Sequence, residues 1–222
     1  MRFATRFVHH PGRRADRTFH VAILLLALGS TLGASGCAVA GSYRVADRAQ
    51  TLRNYRTVAG SVQVGRDAAI GSARTVAGEI RVADGAATRS LASVAGEIRI
   101  GENARIEGDV STVAGAIRIG RGAHVSGSVS SIAGALELDD CRIEGEIKVT
   151  AGDLRIRGAT QATAGILVRH ADAHGDSHPT RLDIGAGADI ASIAVERDAQ
   201  VDLRISRDAR VGKITGTEAT YY

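Results

Sequence analysis

From residue 41 onward, apolar and polar positions alternate in short runs, and each run stops at a turn signal before the alternation resumes. In VAGEIRIGENARIEGDV, which begins at Val94, the residues Val94, Ile98 and Ile100 share one parity. After a break at GEN, Ala104, Ile106 and Val110 fall on the inward side. A period of two is that of a strand with one buried face. The Gly, Asn, Asp and Ser at the breaks predict tight corners. Each unit therefore reads as two or three short strands.

The units are copies of one another. TVAGSVQVG from Thr57, TVAGEIRVA from Thr75, SVAGEIRIG from Ser93, TVAGAIRIG from Thr112 and SIAGALELD from Ser131 carry the same pattern. The glycine of each AG marks the repeat at Gly41, Gly60, Gly78, Gly96, Gly115, Gly134 and Gly152, spaced 19, 18, 18, 19, 19 and 18 residues apart. A unit this short cannot bury its apolar face alone, but units stacked in register at about 4.8 Å bury a continuous column. The expected fold is all-β: a single-stranded β-solenoid, or parallel β-helix, with one coil per repeat of 18–19 residues. Regular coils are expected over 41–168, a polar His-rich loop over 169–181, and final irregular coils with a C-terminal cap over 182–222. The cap would protect the open end from edge-to-edge growth. The expected core includes Ile98, Ile100, Ala104, Ile106, Val113, Ile117 and Ile119. Eight residues after the first five markers stand Ala49, Ala68, Ala86, Ala104 and Ala123, an inner corner for a small side chain, and Cys141 takes that place in the next, shorter turn, seven residues after Gly134. An outward column reads Gln63, Arg81, Arg99, Arg118, Glu137 and Arg155. With Glu79 and Glu97 two residues away, it reads as an exposed salt-bridge lattice.

Composition sharpens the picture. The chain of 222 residues has no Trp, and its three Phe (Phe3, Phe7, Phe19) all fall in the first twenty positions. A core must be built from Val, Ile, Leu and Ala, which suits a narrow and regular interior. The basic MRFATRFVHHPGRRADRTFH is followed by the short apolar VAILLLALGSTLG and by ASGC. That order is the plan of an export signal over residues 1–36, its apolar run being too short for a comfortable membrane span. Small residues lead directly into Cys37, as in a lipobox, so Cys37 is the candidate lipidation site, with 37–40 a short tether. A plain cleaved leader with an incidental Cys37 is the other reading. Removing the five Arg and one Asp of residues 1–36 leaves 23 basic and 23 acidic residues. A neutral chain nearly free of aromatics offers neither a field for phosphates nor stacking platforms, so no nucleic-acid partner is expected.

Chemistry is sparse. His170, His174 and His178, with Asp172 and Asp176 between them, have a metal-like spacing. Gly175 and Pro179 argue against the helix that would put them on one face, so a loop without metal is the favoured reading. Cys141 reads as a small buried hydrophobe, since a reactive thiol would want a His in its own turn. His124 occupies the outward place held by Arg105 and Arg142 in neighbouring coils. No CxxC pair, phosphate-cradling loop or paired-carboxylate constellation is present, so neither a cofactor nor enzymatic activity is expected.

The VAG-x-I-R-I-G turns, TVAGAI at Thr112–Ile117 and ARVGKITGTEA at Ala209–Ala219 resemble uncharacterised bacterial β-solenoid repeat lipoproteins. They are also similar to the polymer-forming bactofilins and to the adhesin-like repeat family DUF4097. The resemblance implies a right-handed coil and a non-enzymatic lipoprotein, anchored by its lipid in the cell envelope, at the outer membrane facing the periplasm. It further implies a scaffold or interaction surface able to self-associate or to hold an envelope protein or polysaccharide. The rival expectation is a β-solenoid enzyme or binding protein acting on envelope polysaccharide.

Overall fold

The computed structural model describes residues 41–170, 179–197 and 199–222. Within them the chain is all-β, without a helix, and forms a β-solenoid of about nine turns built on parallel sheets. One sheet stacks ten strands in chain order, from Tyr43–Val45 through Ile98–Ile100 and Ile117–Ile119 to Ala219–Tyr221. Each residue pairs with its equivalent one coil away: Ile80 with Ile98, Ile98 with Ile117, and Ile117 with Leu136. The repeat in the sequence is thus the ladder in the structure. The register persists to the end, with Leu154, Leu182, Leu203 and Ala219 in one column, so the tail read as irregular coils pairs regularly. The strand Thr180–Ile184 begins inside the stretch expected as loop.

The second sheet has thirteen strands and changes form along the stack. In the early coils it is one long strand per turn, Ala69–Ala77 and Ala87–Ala95. It then divides into two arms, one through Arg105–Ile106 and His124–Val125, the other through Val110–Ala114 and Val129–Ala133. The register explains the division. Thr88 pairs with Ile106 and Leu91 with Val110, so three steps in one coil face four in the next. The extra residue bends the strand, and Gly108 and Gly127 stack at the bend, where a Cβ on Gly127 would collide with the backbone of Gly108.

The core is one column of Val, Ile, Leu and Ala, and Ile98, Ile100, Ala104, Ile106, Ile117, Ile119 and Cys141 all lie in it. Val113 does not. It is 42% exposed, and its predecessor Thr112 is buried instead. Val94 is likewise outside and Ser93 inside. The parity drawn from Val94 to Ile98 fails because the chain turns a corner at each AG, and inward positions change from even to odd or the reverse across it. In the coil of Gly115, Val110 and Thr112 point in before the corner, while Ile117 and Ile119 point in after it. The marker glycines belong to this corner. A Cβ on Gly96 or Gly115 would strike the carbonyl oxygen of the marker glycine one coil below. At the opposite corner Asp67, Asn103 and Asp140 take left-handed backbone (φ 45° to 55°), which Asp and Asn tolerate best among residues with a side chain.

Neighbouring positions with opposite surroundings allow a direct test of register. Ile117 is fully buried among aliphatic neighbours, so Ile117→Asp should cost several kcal/mol, on the order of 3–5, because no partner exists inside for the charge. Arg118 is 44% exposed, and Arg118→Asp should cost about 1 kcal/mol through lost surface ion pairs. Urea melts of the two variants compare them. A larger loss at Arg118 would mean that the register is displaced by one.

Candidate interaction surface

Because each residue stands over its equivalent, like side chains form columns. On the ten-stranded sheet Arg81, Arg99 and Arg118 are successive partners, which stacks like charges. Carboxylates interleave to relieve the repulsion. Arg81 donates to Glu79 at 2.7 Å, and Arg99 grips Glu97 with two bonds of 2.6 and 2.8 Å while lying 3.7 Å from Glu79. Arg118 joins Glu97 to Glu137, the latter at 2.9 Å, and Arg155 lies 3.7 Å from Glu137 and 3.2 Å from Asp153. Four guanidiniums and four carboxylates thus form one zigzag over five coils. These groups are half-exposed, so each pair contributes about 0.2–1 kcal/mol. A shallow groove of about 290 Å³ opens over part of this lattice, floored by Ile119, Gly120 and Leu138 and rimmed by Arg118, Arg155 and Arg157.

A second surface lies at the AG corner. Two adjacent columns there are exposed and apolar: Val58, Val76, Val94, Val113 and Ile132, at 41–50% exposure, and beside them Ala59, Ala77, Ala95, Ala114 and Ala133. The alanines pair coil to coil in unbroken register, which makes a straight ridge. Immediately inside it run Thr57, Thr75, Ser93, Thr112 and Ser131, all buried. Thr57 and Thr75 donate to the carbonyls of Gly41 and Gly60, but the hydroxyls of Ser93, Thr112 and Ser131 have no hydrogen-bond partner. Hydroxyl groups are inside and valines outside, the reverse of what burial favours. Lack of room does not force this arrangement. In later coils the same inner column holds Val149 and Val168, both buried, and Val195, nearly so, with Thr150, Arg169 and Glu196 outside.

The remaining candidates are dispersed. Cys141 sits in the inner corner column between Ala123 and Thr160, 3% exposed, and its backbone N–H donates to Thr160 Oγ1 at 3.5 Å. Burial pushes its thiol up from 9.0 to about 12, with the Thr160 hydroxyl opposing part of the rise. His124 stacks between Arg105 and Arg142, with Glu144 at 3.3 Å from its Nε2. His170 is exposed, and its backbone N–H donates to Glu196 at 3.2 Å. His174, His178 and Cys37 lie outside the described residues. Among the described residues no three His, Cys, Asp or Glu converge as metal ligands. Comparison with known protein families, with curated proteins and with solved structures finds no match to this chain.

Sequence reading missed the ridge because it carried one parity through the corner. A usable signal was present: a Ser or Thr precedes the branched residue in each of these five copies, and a hydroxyl at strand spacing beside a valine leaves open which of the two faces in.

The Cys141 environment gives a pH signature. The folded state disfavours the thiolate, whereas the unfolded chain ionises near 9.0. The stability tied to the neutral thiol is therefore full below that pH and is lost as pH rises from 9.0 towards 12. Wild type should lose stability across this interval relative to Cys141→Ala, itself altered by about 1 kcal/mol or less at pH 7. Urea melts of the two proteins at pH 7, 9.5 and 10.5 measure the difference. Parallel pH profiles would place the thiol in water.

Proposed function

We propose that this chain is a non-enzymatic scaffold protein of a bacterial cell envelope, a rigid solenoid tethered by a lipid on Cys37, whose AG-corner ridge is its interaction surface. The observation that carries the reading is the inverted pair of columns, with unpartnered hydroxyls buried at Ser93, Thr112 and Ser131 and branched aliphatics exposed beside them. A buried hydroxyl without a partner costs about 1–3 kcal/mol, and an aliphatic side chain left in water forgoes about 1.5–3 kcal/mol of burial. Repeating that arrangement over consecutive coils is uneconomical for the isolated fold and useful for a protein that covers its ridge with a partner. Lone exposed apolar residues are ordinary, whereas a contiguous apolar strip is the mark of a docking surface. The basic, then apolar, then small-residue order of residues 1–37 supports export and lipidation. The scaffold role also draws on the resemblance of the VAG turns to those of β-solenoid repeat lipoproteins and bactofilins, a resemblance of turn motifs alone, since no known family matches the chain.

Exchanging the two columns at one rung tests the reading. Thr112→Val combined with Val113→Thr should stabilise the fold by about 1–3 kcal/mol, raising the melting temperature by several degrees, while weakening whatever association the ridge supports. An exchange that leaves the melting temperature unchanged or lower would remove the argument. In the same cells, Cys37→Ser should move the protein from the membrane to the soluble fraction. A wild type already soluble would end the lipid-tether reading.

A further inference from the structure

Resting on the reading of the ridge as a docking surface, we infer that its occupant is the same ridge of a second copy, lying side by side and parallel about a two-fold axis that runs along it. The ridge has two columns of unequal size. Call the large one Val58, Val76, Val94, Val113 and Ile132, and the small one Ala59, Ala77, Ala95, Ala114 and Ala133. A two-fold axis along the stack sets the large column of one copy against the small column of the other at every rung. Each valine then covers an alanine. Only a surface with the same rung spacing stays in step over five coils, and a second copy has that spacing by construction.

The flanking charges select the same arrangement. On the side of the larger residues stand Arg56 and Arg74, and on the side of the alanines Glu79 and Glu97, which also bond Arg81 and Arg99. In the coil just beyond Ile132, Lys148 and Asp153 hold the equivalent places and pair with Glu146 and Arg155. Arg74 and Glu79 belong to one coil, as do Lys148 and Asp153. The parallel two-fold therefore faces Arg74 with the partner copy's acidic flank at Glu79 height, and Lys148 with it at Asp153 height. Antiparallel packing centred on the ridge instead puts Val over Val, Ala over Ala and Glu97 against Glu97. An anionic bilayer is a poorer occupant than a second copy, because it offers no rungs at strand spacing to match the ridge.

Extent sets the strength. Five rungs at 4.8 Å by roughly 10 Å of width cover on the order of 250 Å² per copy, well below the ~800 Å² per partner of a stable complex. The pair is therefore weak in dilute solution and populated where copies are concentrated on one membrane, since confinement raises effective concentration.

The test uses the full chain in membranes, with Cys141→Ala to remove the buried thiol and a short bismaleimide as probe. Val58→Cys and Ile132→Cys should each cross-link to themselves, several-fold above the parent chain and above an Arg89→Cys control elsewhere on the surface. Adding Val94→Lys to either should return the yield to the control level, with melts showing the variants folded. If Val58→Cys cross-links only when co-expressed with Ile132→Cys, the copies are antiparallel and the inference fails. If neither variant cross-links to a second copy while the Thr112/Val113 exchange abolishes a cross-link to a different protein, the second copy is overturned and the docking ridge stands. If nothing cross-links and the exchange changes no association, both readings fall.

Discussion

The structure depends on parallel pairing in register, in which every residue stands over its equivalent one coil below. That ladder satisfies the backbone, and it also forces like to stack on like. A column that suits the interior must be apolar at every rung, as Ile80, Ile98 and Ile117 are. A column that suits solvent must not accumulate charge, so Glu79, Glu97 and Glu137 thread between Arg81, Arg99, Arg118 and Arg155. A column at a corner must accept whatever the tightest rung permits. For that reason the marker position is glycine in coil after coil, since each would otherwise strike the carbonyl of the last. Near-identity of the repeats is the consequence of this geometry.

The same constraint explains what sequence reading could recover. Repeat length, strand period, the inner column from Ala68 to Cys141 and the Arg–Glu face were legible, because in a solenoid a column in space is a fixed offset in sequence. The corner was not. Alternation runs within a strand, and nothing in alternation says how many residues a corner consumes, so Val94 and Val113 were placed with the isoleucines that follow them. Division of the second sheet into two arms was hidden for a similar reason. It depends on a single residue added between Ile106 and Val110, an addition visible only once Thr88 and Leu91 are known to be their partners.

Correcting the parity changes the functional picture. With valines inside, the corner would be ordinary core and the surface a uniform salt-bridged coat. With branched aliphatics outside and hydroxyls inside, five coils forgo apolar burial that the later coils, with Val149 and Val168 inward, keep, and three of the five also bury an unpartnered hydroxyl. The difference between the two halves of one solenoid is an internal control that needs no outside comparison. It directs attention away from the histidines and the thiol and towards a strip of small apolar side chains.

The solenoid depends on the equivalence of its coils, and removing one of them measures that equivalence directly. Deleting residues 97–115 takes out one marker-to-marker repeat of 19 residues and should leave a solenoid one coil shorter, because Gly96 is then followed by Ala116 with all columns in place. Its thermal transition should remain cooperative, with a modest fall in midpoint. Deleting residues 97–105 removes half a coil and should abolish the transition. Equal damage from the two deletions would contradict the in-register ladder of equivalent coils.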